Sequence, residues 1–258
     1  MKTVALTLKT GVNESRCRSR KTGVIVLFCF FRTLLSAADT LGPPINDRVA
    51  GEKLARELRA MQPGENLELN GSLKLSKTNS PDRTIPIKTR AVVGDKEWRS
   101  IYETVDRVEP NQRLVILHTV NQRPVYENKS GAAEPVHLTG DQATNSFAGS
   151  DFALLDLGLE FFHWPVQSII AKEMRKGRGC QVLESRPEKT NLYSRVVSWI
   201  DEESKGLLMA QAYDAKGKLL KVFEVKRVNK EDGQLREAEI RNRQTKSSTR
   251  LQFDSSKE

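Results

Sequence analysis

The sequence predicts a mainly β protein built on one large, strongly curved antiparallel sheet. Two observations carry that expectation. Long stretches alternate apolar and polar residues with a period of two, the mark of strands with one buried and one wet face. Turn residues separate these stretches at hairpin spacing, as in Ser204-Lys205-Gly206, Asp214-Ala215-Lys216-Gly217 and Asp232-Gly233. Ten or eleven strands can be traced in the 258 residues, and a flat sheet of that size curls or closes. No internal repeat is visible, so up-and-down connectivity is the simplest expectation.

Taken in order, the first element is an amphipathic helix over 46–62, after the Gly42-Pro43-Pro44 breaker. Asn46 or Asp47 is placed to cap it, Val49, Leu54, Leu58 and Met61 form its apolar stripe, and Pro63-Gly64 ends it. Next, Leu67, Leu69, Gly71, Leu73 and Leu75 alternate with Asn66, Glu68, Asn70, Ser72 and Lys74, giving a strand. Ile85, Ile87, Thr89, Ala91 and Val93 repeat the pattern, and Pro86 within that run points to an edge strand or a bulge. Strands follow at 98–105 and 114–119, and 123–127 and 136–138 are shorter candidates. The last third continues the meander at 180–185, 195–200, 207–213, 219–228, 235–242 and 249–253.

The middle breaks this rhythm. Residues 150–165 read SDFALLDLGLEFFHWP, the most apolar stretch beyond the N-terminal region. With Asp151 as a cap, Phe152, Leu155, Leu159 and Phe162 share one helical face, while Leu154, Leu157 and Phe161 line another. A helix apolar on two faces is buried on both or covers something greasy. Ile169, Ile170 and Met174 continue the helical character past Pro165, so a helical insert is expected over about 151–175. Inside a meander such an insert is a plug or a lid.

The formal charge is +9, from 42 Lys and Arg against 33 Asp and Glu. Residues 1–38 hold seven basic side chains and one acid, which leaves 35 basic and 32 acidic residues, about +3, for the rest. That distribution removes the electrostatic argument for a nucleic-acid partner. The same N-terminal region carries a basic stretch, the apolar run Gly23 to Phe31 and a small-residue exit at Ser36 and Ala38. It reads as a secretory signal peptide over 1–38, cleaved after Ala38, with 39–258 as a single domain. The run is too short to span a bilayer, which needs about 20 apolar residues. Cys17 and Cys29 leave with that leader, so Cys180 stands alone, without a disulfide, and reads as a small buried hydrophobe at a strand start. Cys29 lacks the small residues that precede a lipoprotein cysteine, so the exported chain is expected without a lipid anchor.

No motif for catalysis stands out: there is no Gly-x-Ser-x-Gly, phosphate loop, His-Glu-x-x-His or Cys-x-x-Cys. The three histidines, His118, His137 and His163, fall in separate elements without metal-ligand spacing. His118 reads as a strand histidine. His163, beside Trp164, reads as a helix-end residue or one at a cavity mouth. A Cys180–His163 nucleophile pair needs the fold to bring them together. Asp201-Glu202-Glu203 and Glu231-Asp232 read as solvated hairpin tips, and the basic run Lys172 to Arg178 as a solvated face. No enzyme activity, cofactor or metal is expected.

Four segments carry a family resemblance: SDFALLDLGLEFFHWP (150–165), YSRVVSWID (193–201), LLMAQAYDAKGKLLKVFEV (207–225) and EAEIRNRQTKSSTRLQF (237–253). The Tyr-Ser-Arg-Val-Val strand leading to a Trp, the Tyr-Asp-x-x-Gly-Lys-Leu hairpin, the Ser-Asp-Phe start and the closing Thr-Arg-Leu strand resemble the LolA-like outer-membrane lipoprotein-sorting proteins of bacteria. The likeness covers 151–253, and 46–150 agrees in strand layout only. It implies an incomplete, half-open β-barrel covered by helices, as in LolA and LolB. It also implies a periplasmic carrier of lipoprotein acyl chains or another lipid, working with an inner- or outer-membrane transport protein, and a monomer. On that view Phe152, Leu155, Leu159, Phe161, Phe162 and Trp164 are the lid or lining. Leu67, Leu69, Leu73, Ile85 and Ile87 are the cavity floor. The alternative is a non-catalytic interaction module whose barrel is filled by its own side chains.

Overall fold

The computed structural model describes residues 46–105, 110–120, 122–229 and 233–254. The proposed leader, with Cys17 and Cys29, lies outside the described residues, as do Glu231 and Asp232.

One antiparallel sheet holds thirteen strands: β1 Leu67–Lys77, β2 Ser80–Val93, β3 Glu97–Thr104, β4 Gln112–Thr119, β5 Val125–Ser130, β6 Val136–Leu138, β7 Val166–Arg175, β8 Arg178–Arg186, β9 Arg195–Asp201, β10 Leu207–Tyr213, β11 Leu219–Val228, β12 Leu235–Asn242 and β13 Ser247–Phe253. Their order is β6-β5-β4-β3-β2-β1-β13-β12-β11-β10-β9-β8-β7. Consecutive strands pair throughout, except that β6 and β7 do not and β1 pairs with β13, which joins two meanders. The edges are β6 and β7, and the chain between them, 139–165, is the insert.

Directly opposed residues of antiparallel strands share a face, so the register traces the inside of the sheet. One row runs Leu75, Thr249, Ile240, Phe223, Ala210, Ser198, Leu183, Ile169 from β1 to β7. On the other meander, Leu67, Ala91, Ser100, Ile116 and Tyr126 form a row from β1 to β5, and Leu69, Thr89, Tyr102 and Leu114 form the next. Members of these rows make up the main core together with the insert and the first helix. The opposite face carries ladders of alternating charge, such as Arg90–Glu103–Arg113–Glu127 and Arg241–Glu239–Arg250–Glu237. That face also carries a small apolar cluster on β8 and β9, apart from the main core.

The first helix, α1, runs Arg48–Ala60, and Asp47 caps it by accepting from the Ala50 N–H at 2.8 Å. Its buried side is Gly51, Leu54 and Ala55, with Leu58 packed against the core. The stripe expected from the sequence is therefore rotated: Val49 is 82% exposed and Met61 49%. Gly51 explains the rotation, since a Cβ there would lie 2.5 Å from Ser168 Cα. The missing side chain lets α1 lie directly on β7, and Asp47 exchanges backbone hydrogen bonds with Ile169 at 2.9 and 3.0 Å.

Several other expectations are corrected. The helical insert does not extend over 151–175. It contains one α-turn, α2 Leu154–Leu157, and a 3-10 turn Glu160–His163, and residues 166–175 are strand β7. Ile169 and Ile170 are β-branched, and β7 closes on β8 through Lys176-Gly177, both at positive φ, 51° and 76°. That is the two-residue hairpin turn matching strand twist, so the basic run 172–178 spans a hairpin. Asp151 does not cap a helix; Ala153 holds that position, and Asp151 accepts from the hydroxyls of Ser247 and Thr249 on β13. Pro86 sits on an interior strand, yet β3 ends opposite Ile87, and Val105 donates to the Pro86 carbonyl on that side. The proline ring thus faces the point where pairing stops. Asp201 is not a solvated tip residue: it is buried and accepts from Arg178 at 2.7 Å. Cys180 is buried as expected, on the outer face with Val182, Val197 and Trp199. His163 belongs to the inner face, so the two cannot act as a pair.

Candidate functional site

The insert is held over the inner face by three carboxylates that reach three different strand groups. Asp151 binds β13 as above. Asp156 accepts from the Tyr193 hydroxyl at 2.8 Å, from Lys221 Nζ at 3.2 Å and from the Ala153 N–H at 2.8 Å. Glu160, fully buried, accepts from Arg123 Nε at 2.7 Å and the Tyr126 hydroxyl at 3.1 Å. Burial pushes the Glu160 carboxyl up, with Arg123 and Tyr126 opposing. Burial, then Asp156, drives the Tyr193 hydroxyl well above its ordinary value. Gly140 makes room for Glu160, because a Cβ there would overlap its carboxylate.

Between Asp156 and Glu160 the backbone turns through Leu159, a non-glycine residue at φ 50°, ψ 39°. This left-handed conformation is uncommon for a leucine, and it ends α2 before the 3-10 turn begins. The side chain is 38% exposed and lines two spaces. The first, about 30 Å³, lies against β9–β12 with Phe161, Tyr193, Val196, Ala210, Lys221 and Phe223 around it. It has room for about two waters. The second is a cleft of about 440 Å³ between the end of α1, β3–β4, the insert and the β9–β10 turn. Arg59, Met61, Gln62, Trp98, Ser100, Tyr102, His118, Leu159, Phe162, His163, Lys205 and Leu207 are among its walls.

Of the lid residues read from the sequence, Leu159, Phe161 and Phe162 meet these two spaces, whereas Leu155 and Trp164 border only a space of about 10 Å³ and Phe152 none of the three. All except Leu159 are buried in the core. They share no single helical face, because the chain breaks at Leu159. Of the floor residues, Leu73, Ile85 and Ile87 are buried core and Leu67 and Leu69 are half-buried; none lines these spaces. They do share the inner face with the actual floor: the rows of Leu67 and Leu69 continue into Ser100 and Tyr102.

Trp98, Tyr102 and His118 were not singled out as floor, although period-two alternation in β3 and β4 is their signal. His118 stacks on Trp98 with ring centroids 4.7 Å apart and lies 3.2 Å from the Ser100 hydroxyl. Burial lowers its pKa to about 4. His163 is likewise lowered to about 4, by burial first and then by Arg59. Both rings are therefore neutral near pH 7. Among the described residues no His, Cys, Asp and Glu cluster is placed to hold a metal, and no helix is long and apolar enough to cross a membrane.

The fold has solved counterparts. A DUF1329 family protein from Desulfovibrio piger matches over 81% of this chain and 92% of its own, with TM-score 0.67 and 21% identity. A Vibrio parahaemolyticus domain named for outer membrane lipoprotein sorting matches over the same shares, with TM-score 0.67 and 18% identity. A LolA superfamily protein from Nitrosomonas europaea does so with TM-score 0.57 and 15% identity. The family whose sequence pattern matches residues 125–257, just over half of the chain, is described only as an uncharacterized protein. The chain belongs to this family, and its fold is LolA-like. No curated protein matches the sequence. The family match begins at β5 and takes in the insert and all of β7–β13. In this LolA-like chain the matched segment supplies Leu159, Phe162, His163 and Lys205, while α1 and β3–β4, which complete the cleft, lie before it.

Proposed function

We propose that this LolA-like protein is an exported, non-catalytic carrier that takes an acyl chain of a lipid or lipoprotein into the cleft beside the insert. It would serve outer-membrane lipoprotein sorting or a related lipid transport step in the periplasm, released from its leader and without a lipid anchor. A membrane transport protein would then supply or receive the cargo. The observation that carries this reading is the cleft: about 440 Å³, within the roughly 300–1,000 Å³ of ligand sites, with the exposed apolar side chains Met61 and Leu159 at its wall. Burying a methylene there is worth about 0.8 kcal/mol, so a chain of ordinary length gains ample affinity. On this reading the open sheet would act as the half-open barrel and the insert as its lid. An acyl chain reaching the inner rows requires the insert to lift, because packing leaves only about 30 Å³ beneath it.

The same packing favours a second reading, an interaction module whose inner face is packed by its own side chains. Expression of the whole precursor in a bacterium, purification without detergent, native mass spectrometry and solvent extraction separate the two. Stoichiometric acylated material supports the carrier. A clean protein mass in several lipid backgrounds sinks it in favour of the module.

A further inference from the structure

The cleft has a charge character that the acyl-chain reading does not use. Among the described residues no carboxylate lines it, whereas Arg59, Lys205 and Gln62 all do. Lys205 has a distant partner, Glu57, at 3.9 Å. Arg59 has none: its one hydrogen bond is from Nη1 to the Phe162 carbonyl at 3.1 Å, and no described carboxylate pairs with it. A guanidinium carries five N–H donors in a rigid fork, so most of them remain for a ligand. Apolar Met61 and Leu159 stand in the same wall. A polar end made of donors, beside an exposed apolar wall, is complementary to a molecule with an acceptor-only head and an alkyl tail.

Building on the cargo reading, we propose that the cleft is selective for a single alkyl chain ending in a carboxylate, with Arg59 and Lys205 binding the head and Leu159 and Met61 flanking the tail. A carboxylate fits better than a phosphate monoester because only one cation, Arg59, lacks a counter-charge, which matches a monoanion. The competing account is that Arg59 merely fastens the 3-10 turn through the Phe162 carbonyl. It predicts lost stability on substitution without any change in head-group preference.

The test uses the full exported chain, stripped of lipid, with N-phenyl-1-naphthylamine as a neutral fluorescent occupant. Decanoate, decanol, decyltrimethylammonium and decyl phosphate compete for it below their micelle concentrations. Decanoate is expected to displace the probe about tenfold better than decanol, the worth of a charge-assisted hydrogen bond, and decyltrimethylammonium worst. Arg59→Gln with Lys205→Gln should bring decanoate to the level of decanol while probe affinity holds. If that double variant melts early, Lys205→Glu, at an exposed turn, should by itself cut the preference for decanoate. Equal displacement by decanoate, decanol and decyltrimethylammonium, or a preference that survives the substitutions, overturns the head-group assignment and leaves the carrier standing. Decyl phosphate outranking decanoate overturns the choice of carboxylate. Failure of the probe and every competitor to bind overturns the carrier reading itself.

Discussion

The small space behind the insert and the cleft at its other end share a wall residue, Leu159, and both back onto the inner face of the same sheet. They differ in how their polar groups are used. Behind the insert, the acid Asp156 and the base Lys221 are both largely buried and satisfied by one another and by Tyr193, and about 30 Å³ is left. In the cleft the polar groups are cations and neutral donors without an acid among them, and about 440 Å³ is open. A closed electrostatic pair goes with a packed interior, and an unclosed one with a site. The carboxylates of the insert thus act as fasteners, and the cleft is where none was placed.

The largest way to break this contrast is to open the packed end. Asp156→Ala leaves the Lys221 ammonium buried without a partner, and should lower unfolding free energy in urea by about 3–5 kcal/mol. Adding Lys221→Met should return much of that loss; a double variant as unstable as the single would show that the hydrogen bonds to Tyr193 and Ala153, not the charge, hold this end. A second fastener is attacked through Gly140→Ala, whose methyl would displace Glu160 from Arg123. Overpacking of this kind costs about 1–3 kcal/mol, readable as a lower melting temperature.

A pH effect belongs to the cleft. His118 has a folded pKa of about 4 against an ordinary 6.5, so between those values the unfolded chain binds more protons. Stability is then full above about pH 6.5 and is lost as pH falls towards 4. Compared with the parent, His118→Phe should shrink that acid loss by about 1–3 kcal/mol in parallel urea titrations. An unchanged acid limb would assign it to other groups, His163 first.

The smallest stability effect is expected at Leu159. Asparagine tolerates the left-handed backbone, so Leu159→Asn should change stability by less than about 1 kcal/mol. It should nevertheless weaken binding of a neutral alkyl probe about fivefold through lost apolar contact. A large stability loss there would mean the side chain is structural and the two spaces are not separated by a replaceable wall. Phe162 is unsuited to this purpose because it is buried at 4% exposure, and a polar substitute would unfold the core.

Strand positions were legible because period-two alternation is a local consequence of one wet and one dry face. Leu207–Tyr213, Leu219–Val228 and Leu235–Asn242 begin and end where the alternation and the turn residues place them. The insert reads as helical over about 151–175 for the converse reason. Phe152, Leu155, Leu159 and Phe162 fit a helical period, but Asp156 is committed to Tyr193, just before β9, and Lys221 on β11, and Glu160 to Arg123, just before β5, and Tyr126 on β5; the chain breaks at Leu159 between them. The cleft was only half legible. Its insert wall shows as an apolar run and Trp98, Tyr102 and His118 as members of alternating strands, whereas Arg59 and Lys205 carry no local signal that joins them to the rest.

The sequence by itself determined the strands other than β7, their hairpins, the cap of the first helix and which strand side chains face inward, since each follows from residues close together in the chain. Only the tertiary structure decided that β1 meets β13, that α1 turns its glycine to β7, and that the end of α1, β3–β4 and the insert enclose one space. Those pairings join residues far apart in sequence. They are selected by burial and by ion pairs such as Arg123–Glu160 and Lys221–Asp156, whose energies exist only when the whole sheet is assembled.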